Sequence, residues 1–193
     1  MHRRLFATLA VVSLGSATAA HGTTLNWEFT LGPEAPGATG TGSATASFND
    51  ATNIFSYDVT FAGLSGTTTV AHFHCCTANP GAGTAGVAVA APSLLNLPVG
   101  VQTGSFSGSY DLTLQSSFSV GFINGLGGGT VPGALAAFLT GLNAGTAYLN
   151  IHSSLFPGGE IRSFAEKVPE PGTLALLGLS LAGLGLSRRR KTY

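Results

Sequence analysis

The hexapeptide Ala71-His72-Phe73-His74-Cys75-Cys76 gathers two of the five histidines and both cysteines of this 193-residue chain. Read as a β-strand, its side chains alternate, so Val70, His72, His74 and Cys76 share one face while Ala71, Phe73 and Cys75 take the other. Two imidazoles at i and i+2 reach a single ion. His152, with Tyr148 and Asn150 on its own face, supplies a third nitrogen if its strand is a neighbour. Imidazoles with a thiolate favour copper or zinc over hard cations such as calcium. The candidate ligand set is therefore His72, His74, His152 and Cys76, with copper or zinc as the ion. The competing expectation is structural: histidines in the corners of a β-sandwich hydrogen-bond to backbone and to partners such as Asn150, Glu160 and Tyr148.

Adjacent Cα atoms across a trans peptide lie about 3.8 Å apart, whereas unstrained disulfides prefer ~4.4 Å or more. A bridge between Cys75 and Cys76 is therefore not expected. A strained vicinal bridge, an intermolecular bond and thiol ligation stay open, with ligation or a redox-labile pair placed first, because thiols in an oxidising compartment need an occupation.

Other motifs carry less chemistry. Gly104-Ser105-Phe106-Ser107-Gly108 has Phe106 where a nucleophile elbow needs serine. Residues 125–130, Gly-Leu-Gly-Gly-Gly-Thr, lack the lysine and the spacing of a phosphate loop. Glu160 and Arg162 lie two apart on the last strand and are expected to pair with neighbours and lock the turn of Pro157, Gly158 and Gly159. No catalytic residue is assigned, and the chain is expected not to be an enzyme. Metal-dependent redox chemistry is the alternative. The His-x-His strand is similar to that of copper-zinc superoxide dismutases, yet three core histidines and no bridging histidine fall short of that enzyme's ligand set.

The elements that must position these residues are short. Runs rich in Val, Ile, Thr, Phe and Tyr, separated by Gly, Pro and Asn, predict strands at 25–31, 42–48, 53–61, 69–75, 86–90, 104–114, 147–152 and 160–164. The clearest puts Phe55, Tyr57, Val59 and Phe61 on one face and Ile54, Ser56, Asp58 and Thr60 on the other. One helix is predicted over 133–142, where Leu135, Phe138, Leu139 and Leu142 recur at helical spacing before Asn143-Ala144-Gly145 ends the run. Seven or eight short strands and one short helix predict an all-β fold, an antiparallel β-sandwich of Greek-key, immunoglobulin-like or superoxide-dismutase-like type. A weak repeat points the same way: 63–74 and 141–152 align without gaps and match Gly63 with Gly141, Leu64 with Leu142, Thr68 with Thr146 and His74 with His152.

The two ends read as addresses. Residues 1–20 place Arg3 and Arg4 before a short apolar run and small residues, the order of a secretory signal peptide cleaved after Ala19 or Ala20. At the far end Pro169, Glu170 and Pro171 precede an apolar stretch over 173–186 and then Arg188, Arg189, Arg190 and Lys191. As a helix that stretch would be roughly 21 Å long, short of the ~30 Å hydrocarbon core. It is expected to enter the inner membrane transiently, with its basic end on the cytoplasmic side. Between His21 and Lys167 only Arg162 and Lys167 oppose seven carboxylates, a net charge of −5. Without a basic patch to neutralise phosphates, nucleic acid is excluded as a partner. The chain thus divides into 1–20, a domain at 21–167, and a sorting segment at 168–193.

Two resemblances extend this reading. Residues 168–193 closely resemble the PEP-CTERM sorting signal of Gram-negative bacteria that make exopolysaccharide. That implies an exosortase-type partner, cleavage near Pro169-Glu170-Pro171, and export to the envelope, outer surface or extracellular matrix. Residues 141–164 resemble the C-terminal signature of the chordin-type, or CHRD, domain: a Leu-x-x-Gly turn, a Tyr-x-Asn-x-His strand, then Pro-Gly-Gly-Glu-Ile-Arg. Residues 61–74 resemble the same family's turn and His-x-His strand, and Ser163 and Ser153 stand where the family usually has Gly and often Thr. The resemblance covers roughly 25–164. It implies an extracellular β-rich structural or binding module that contacts exopolysaccharide or surface proteins, and it names no catalytic residues.

Overall fold

A computed structural model of the protein describes residues 22–89, 92–169 and 180. The described residues form nine strands, with apolar and polar residues alternating most clearly in the first three: β1 (Thr24–Pro33), β2 (Thr41–Asn49), β3 (Ile54–Ala62), β4 (Thr68–His74), β5 (Val87–Val89), β6 (Gly104–Asp111), β7 (Tyr148–Ser153), β8 (Ile161–Phe164) and β9 (Glu166–Lys167). In β3 the expected faces appear: Phe55, Tyr57, Val59 and Phe61 are buried, while Asp58 and Thr60 face water. All eight expected strands form, the sixth ending at Asp111.

The strands make one antiparallel sheet in the order β5-β4-β7-β8-β1-β2-β3-β6, with β9 pairing β1 off this path. Long β1 joins the halves, since Thr24–Leu31 pairs with β2 and Gly32–Pro33 with β8. Strands β4 and β3 stand five steps apart, which at ~4.8 Å per step would be about 24 Å in a flat sheet. Yet the Phe73 ring of β4 lies 5.1 Å from Phe55 and 5.8 Å from Tyr57, both of β3. The sheet therefore curls onto itself as a half-barrel, and the expected two-layer packing arises from one continuous sheet.

Phe73 is the centre of the resulting core. Its fully buried ring also meets Phe29 at 5.8 Å and Phe138 at 6.2 Å. Phe138 belongs to α2 (Val131–Ala144), which packs Ala134, Phe138 and Leu142 into this core. Thr130 caps that helix by accepting from the Gly133 N–H, and Gly145 ends it at φ +67°, a left-handed conformation that glycine adopts without steric cost. The expectation of a single helix is corrected: α1 (Val120–Asn124) and a 3-10 turn (Gln115–Ser117) also form. Five residues are too few to display helical periodicity, so the Ser119 cap, which accepts from the Phe122 N–H, was its only mark in the chain.

Among the described residues no helix is long and apolar enough to cross a membrane. The signal peptide at 1–20 and, apart from Ser180, the apolar stretch at 173–186 lie outside the described residues.

Candidate metal centre

On β4 the inner face carries Ala71 and Phe73 into the core, so His72 and His74 take the outer face. Strand β7 pairs beside it with His72 opposite Asn150 and His74 opposite Tyr148, which sets His152 diagonally across from His72. This face is roofed by loops, and the three histidines are each only 9% exposed. Their candidate ligand nitrogens all lie within 4.8 Å of one another. The weak repeat thus corresponds to two neighbouring strands whose histidines converge.

Each imidazole is held from behind by a backbone carbonyl. His72 Nε2 donates to the Pro92 carbonyl at 2.7 Å, His74 Nδ1 to Ala85 at 2.9 Å, and His152 Nδ1 to Pro157 at 2.9 Å. A neutral imidazole has one N–H, so these bonds leave His72 Nδ1, His74 Nε2 and His152 Nε2 as lone pairs. Two of those lone pairs, His72 Nδ1 and His152 Nε2, face each other at 3.4 Å. The third, on His74 Nε2, is buried with no hydrogen-bond partner. Carbonyls that fix the tautomer of a histidine from its far nitrogen are the usual support of a metal ligand.

Burial disfavours the charged form of His72 and His74. It is the main force pushing His74 down to about 4, with the Ala85 carbonyl opposing and His72, His152 and Arg162 assisting. Burial likewise lowers His72, the Pro92 carbonyl opposing and His152 assisting. Two unprotonated nitrogens at 3.4 Å repel unless a proton or a metal cation lies between them. An ion with bonds of ~2.0–2.1 Å and tetrahedral angles separates two ligand nitrogens by about 3.3–3.4 Å. The His72–His152 spacing matches, and His74 offers a third nitrogen within 4.8 Å of the other two, so the residues fit copper or zinc.

The rim is a polar network. The Tyr148 ring stacks on His74 at 4.8 Å and 2°, and its hydroxyl donates to the Ala85 carbonyl at 3.2 Å. The Arg162 guanidinium lies over Tyr148 and Phe164 and pairs with Glu34 at 3.1 Å. Burial raises the Glu34 carboxyl, against the lowering effects of Arg162, His152 and the Asn150 amide that donates to it. Gly159, at φ +129°, passes over this pair, where a Cβ would overlap the Glu34 carboxylate and the Asn150 amide.

Two expectations are corrected here. Strand β4 ends at His74, so alternation does not carry Cys76 to the histidine face. Cys76 is instead bonded to Cys75 across a cis peptide, so the vicinal bridge, left open above behind thiol ligation, is the one that forms. A disulfide sulfur is no thiolate ligand. Glu160 also acts elsewhere than expected: its carboxylate accepts from the N–H groups of Ser65 and Gly66 and so holds the 64–66 turn, while Arg162 pairs with Glu34. Glu34 and the three supporting carbonyls were not singled out by sequence, since backbone acceptors leave no trace in residue type and Glu34 lies 128 positions from Arg162; Asn150, expected beside the histidines, donates to Glu34.

Comparison with known proteins places this arrangement. The family model described as the CHRD domain matches residues 21–164, and that of the PEP-CTERM protein-sorting motif matches residues 167–191. No curated protein and no solved structure matches the chain. The histidine cluster and its supporting carbonyls all fall inside the first match, and Pro169, Glu170, Pro171, Arg188, Arg189 and Arg190 inside the second.

Proposed function

The chain belongs to the CHRD-domain family, and from that premise we propose that its domain is a non-catalytic surface module that holds one copper or zinc ion on His72, His74 and His152. The sorting motif makes it a substrate of an exosortase-type system and directs it to the surface of a Gram-negative bacterium. The observation that carries the metal reading is the pair of facing lone pairs at 3.4 Å beside an unpartnered buried third, all three fixed by carbonyls. The ion would join β4 to β7, drawing together the loops that end in Ala85, Pro92 and Pro157. Elemental analysis of protein purified without an affinity metal tests it. About one copper or zinc per chain, lost in His72→Ala/His74→Ala, is expected. A metal content unchanged by the substitutions, or none after reloading, refutes it.

A second observation favours contact with exopolysaccharide. On the outer face of β1, β2, β3 and β6, register aligns Thr30, Ser43, Thr60 and Ser105 in one row and Asn26, Ser47, Ser56 and Ser109 in another. Short hydroxyl and amide side chains in rows across this face can hydrogen-bond a sugar polymer along its length. Sedimentation with the producing cell's polymer is expected to retain the protein and to release Ser47→Arg/Ser56→Arg. Equal sedimentation of both would count against the contact.

A further inference from the structure

The Cys75–Cys76 disulfide has no ordinary stabilising role. Disulfides stabilise chiefly by closing a loop in the unfolded chain, and a bond between sequence neighbours closes none. Yet the surroundings are shaped to it. Behind the sulfurs, α2 presents Gly141, where a Cβ would overlap both Sγ atoms, and Ala137, whose carbonyl lies 3.6 Å from the Cys76 sulfur. In front, both cysteines line a cavity of about 460 Å³ walled by Gly86, Val87, Phe122 and Leu126. That size falls in the ~300–1,000 Å³ range of small-molecule sites. Cys75 is 3% exposed, whereas Cys76 is partly open to solvent.

We propose that Cys75–Cys76 is a thiol-exchange site, entered by a small thiol through this cavity, with the Cys76 sulfur as the atom attacked. An incoming thiolate forms a bond to Cys76 Sγ as the Cys75–Cys76 bond breaks, and Cys75 leaves as a thiolate that takes up a proton. A second small thiolate then attacks the mixed disulfide, freeing Cys76 and releasing the dimeric disulfide. Two small thiols are oxidised and one protein disulfide is reduced, so electrons balance. Unbonded sulfurs need far more than the ~2.04 Å of the bond. Gly141 bars movement toward α2, so the freed Cys76 side chain moves into the cavity. The wall segment also serves the histidines: Gly86 accepts from the Cys75 N–H at 3.1 Å, and the preceding Ala85 carbonyl holds His74.

The test incubates native protein with reduced glutathione, quenches with acid and maps the adduct by fragment-ion mass spectrometry. One glutathione on Cys76 is expected, with Cys75 free to alkylate. Gly121→Phe, placed where an added Cβ meets nothing within 4 Å, fills the cavity mouth and is expected to slow adduct formation about tenfold or more, because access controls exchange. In urea both proteins should react at the same rate. An adduct on Cys75, no exchange in the native protein, or a native rate unaltered by Gly121→Phe overturns the proposal. Should that variant not fold, Gly86→Leu blocks the opposite wall, and the adduct position decides regardless. Adduct mapping needs no metal, so failure of the metal reading leaves this test intact.

Discussion

Replacing Gly141 by alanine should reverse the usual effect of that change in a helix. At a solvent-facing helical position the substitution stabilises by roughly 0.5–1 kcal/mol, because glycine loses more backbone freedom on folding. Gly141 is buried on α2, and a Cβ there would stand 2.6 Å from Cys76 Sγ and closer still to Cys75 Sγ. Contacts to sulfur want well over 3 Å, so the helix must back away from the disulfide, an overpacking cost of about 1–3 kcal/mol. Gly141→Ala is thus expected to destabilise by about 0.5–2 kcal/mol net. In a Cys75→Ala/Cys76→Ala background the sulfurs are gone, and the same substitution should become neutral or stabilising by up to ~1 kcal/mol. The cycle gives a coupling of about 1–3 kcal/mol, measured by urea unfolding of the four proteins followed by circular dichroism. Additive effects, or a stabilising Gly141→Ala in the parent, would refute the placement of the disulfide against this helix.

Two further outcomes follow from the packing and charge. Burial would raise the Glu160 carboxyl, but hydrogen bonds from Ser153, Ser65 and Gly66 hold it below its ordinary value of 4.5. Its folded value being the lower one, its stabilising effect is whole above about pH 4.5 and is lost as pH falls below that; Glu160→Gln should cost about 1–3 kcal/mol at pH 7 and flatten this part of the acid limb, and an unaltered limb would contradict it. Phe73→Ala removes the ring shared by Phe29, Phe55, Tyr57 and Phe138 and should cost about 3–5 kcal/mol in urea unfolding, with a loss under ~1 kcal/mol showing that the halves do not meet there.

Much of this protein was legible in its sequence because β-alternation is a local signal. Phe55, Tyr57, Val59 and Phe61 declare their buried face by period alone, and His72, His74 and His152 declare theirs the same way. Their convergence depended on β4 and β7 being neighbours, a long-range pairing that alternation does not encode. Curling the sheet so that Phe73 meets Phe55 is a long-range event that no local pattern encodes. Cys76 failed as a ligand because alternation was carried past the end of β4 and because its sulfur is bonded to Cys75. The partners of Glu160 and Arg162, namely Ser65, Gly66 and Glu34, lie 94 to 128 positions away in sequence, beyond any local pattern.

X-ray absorption at the metal edge of zinc- or copper-loaded protein tests the central claim most directly. Histidine ligation on His72, His74 and His152 predicts a first shell of nitrogen or oxygen at ~2.0–2.1 Å with imidazole multiple scattering, lost in His72→Ala/His74→Ala. A sulfur shell at ~2.3 Å, or a shell without imidazole features that survives the substitutions, would place the ion elsewhere and contradict the account.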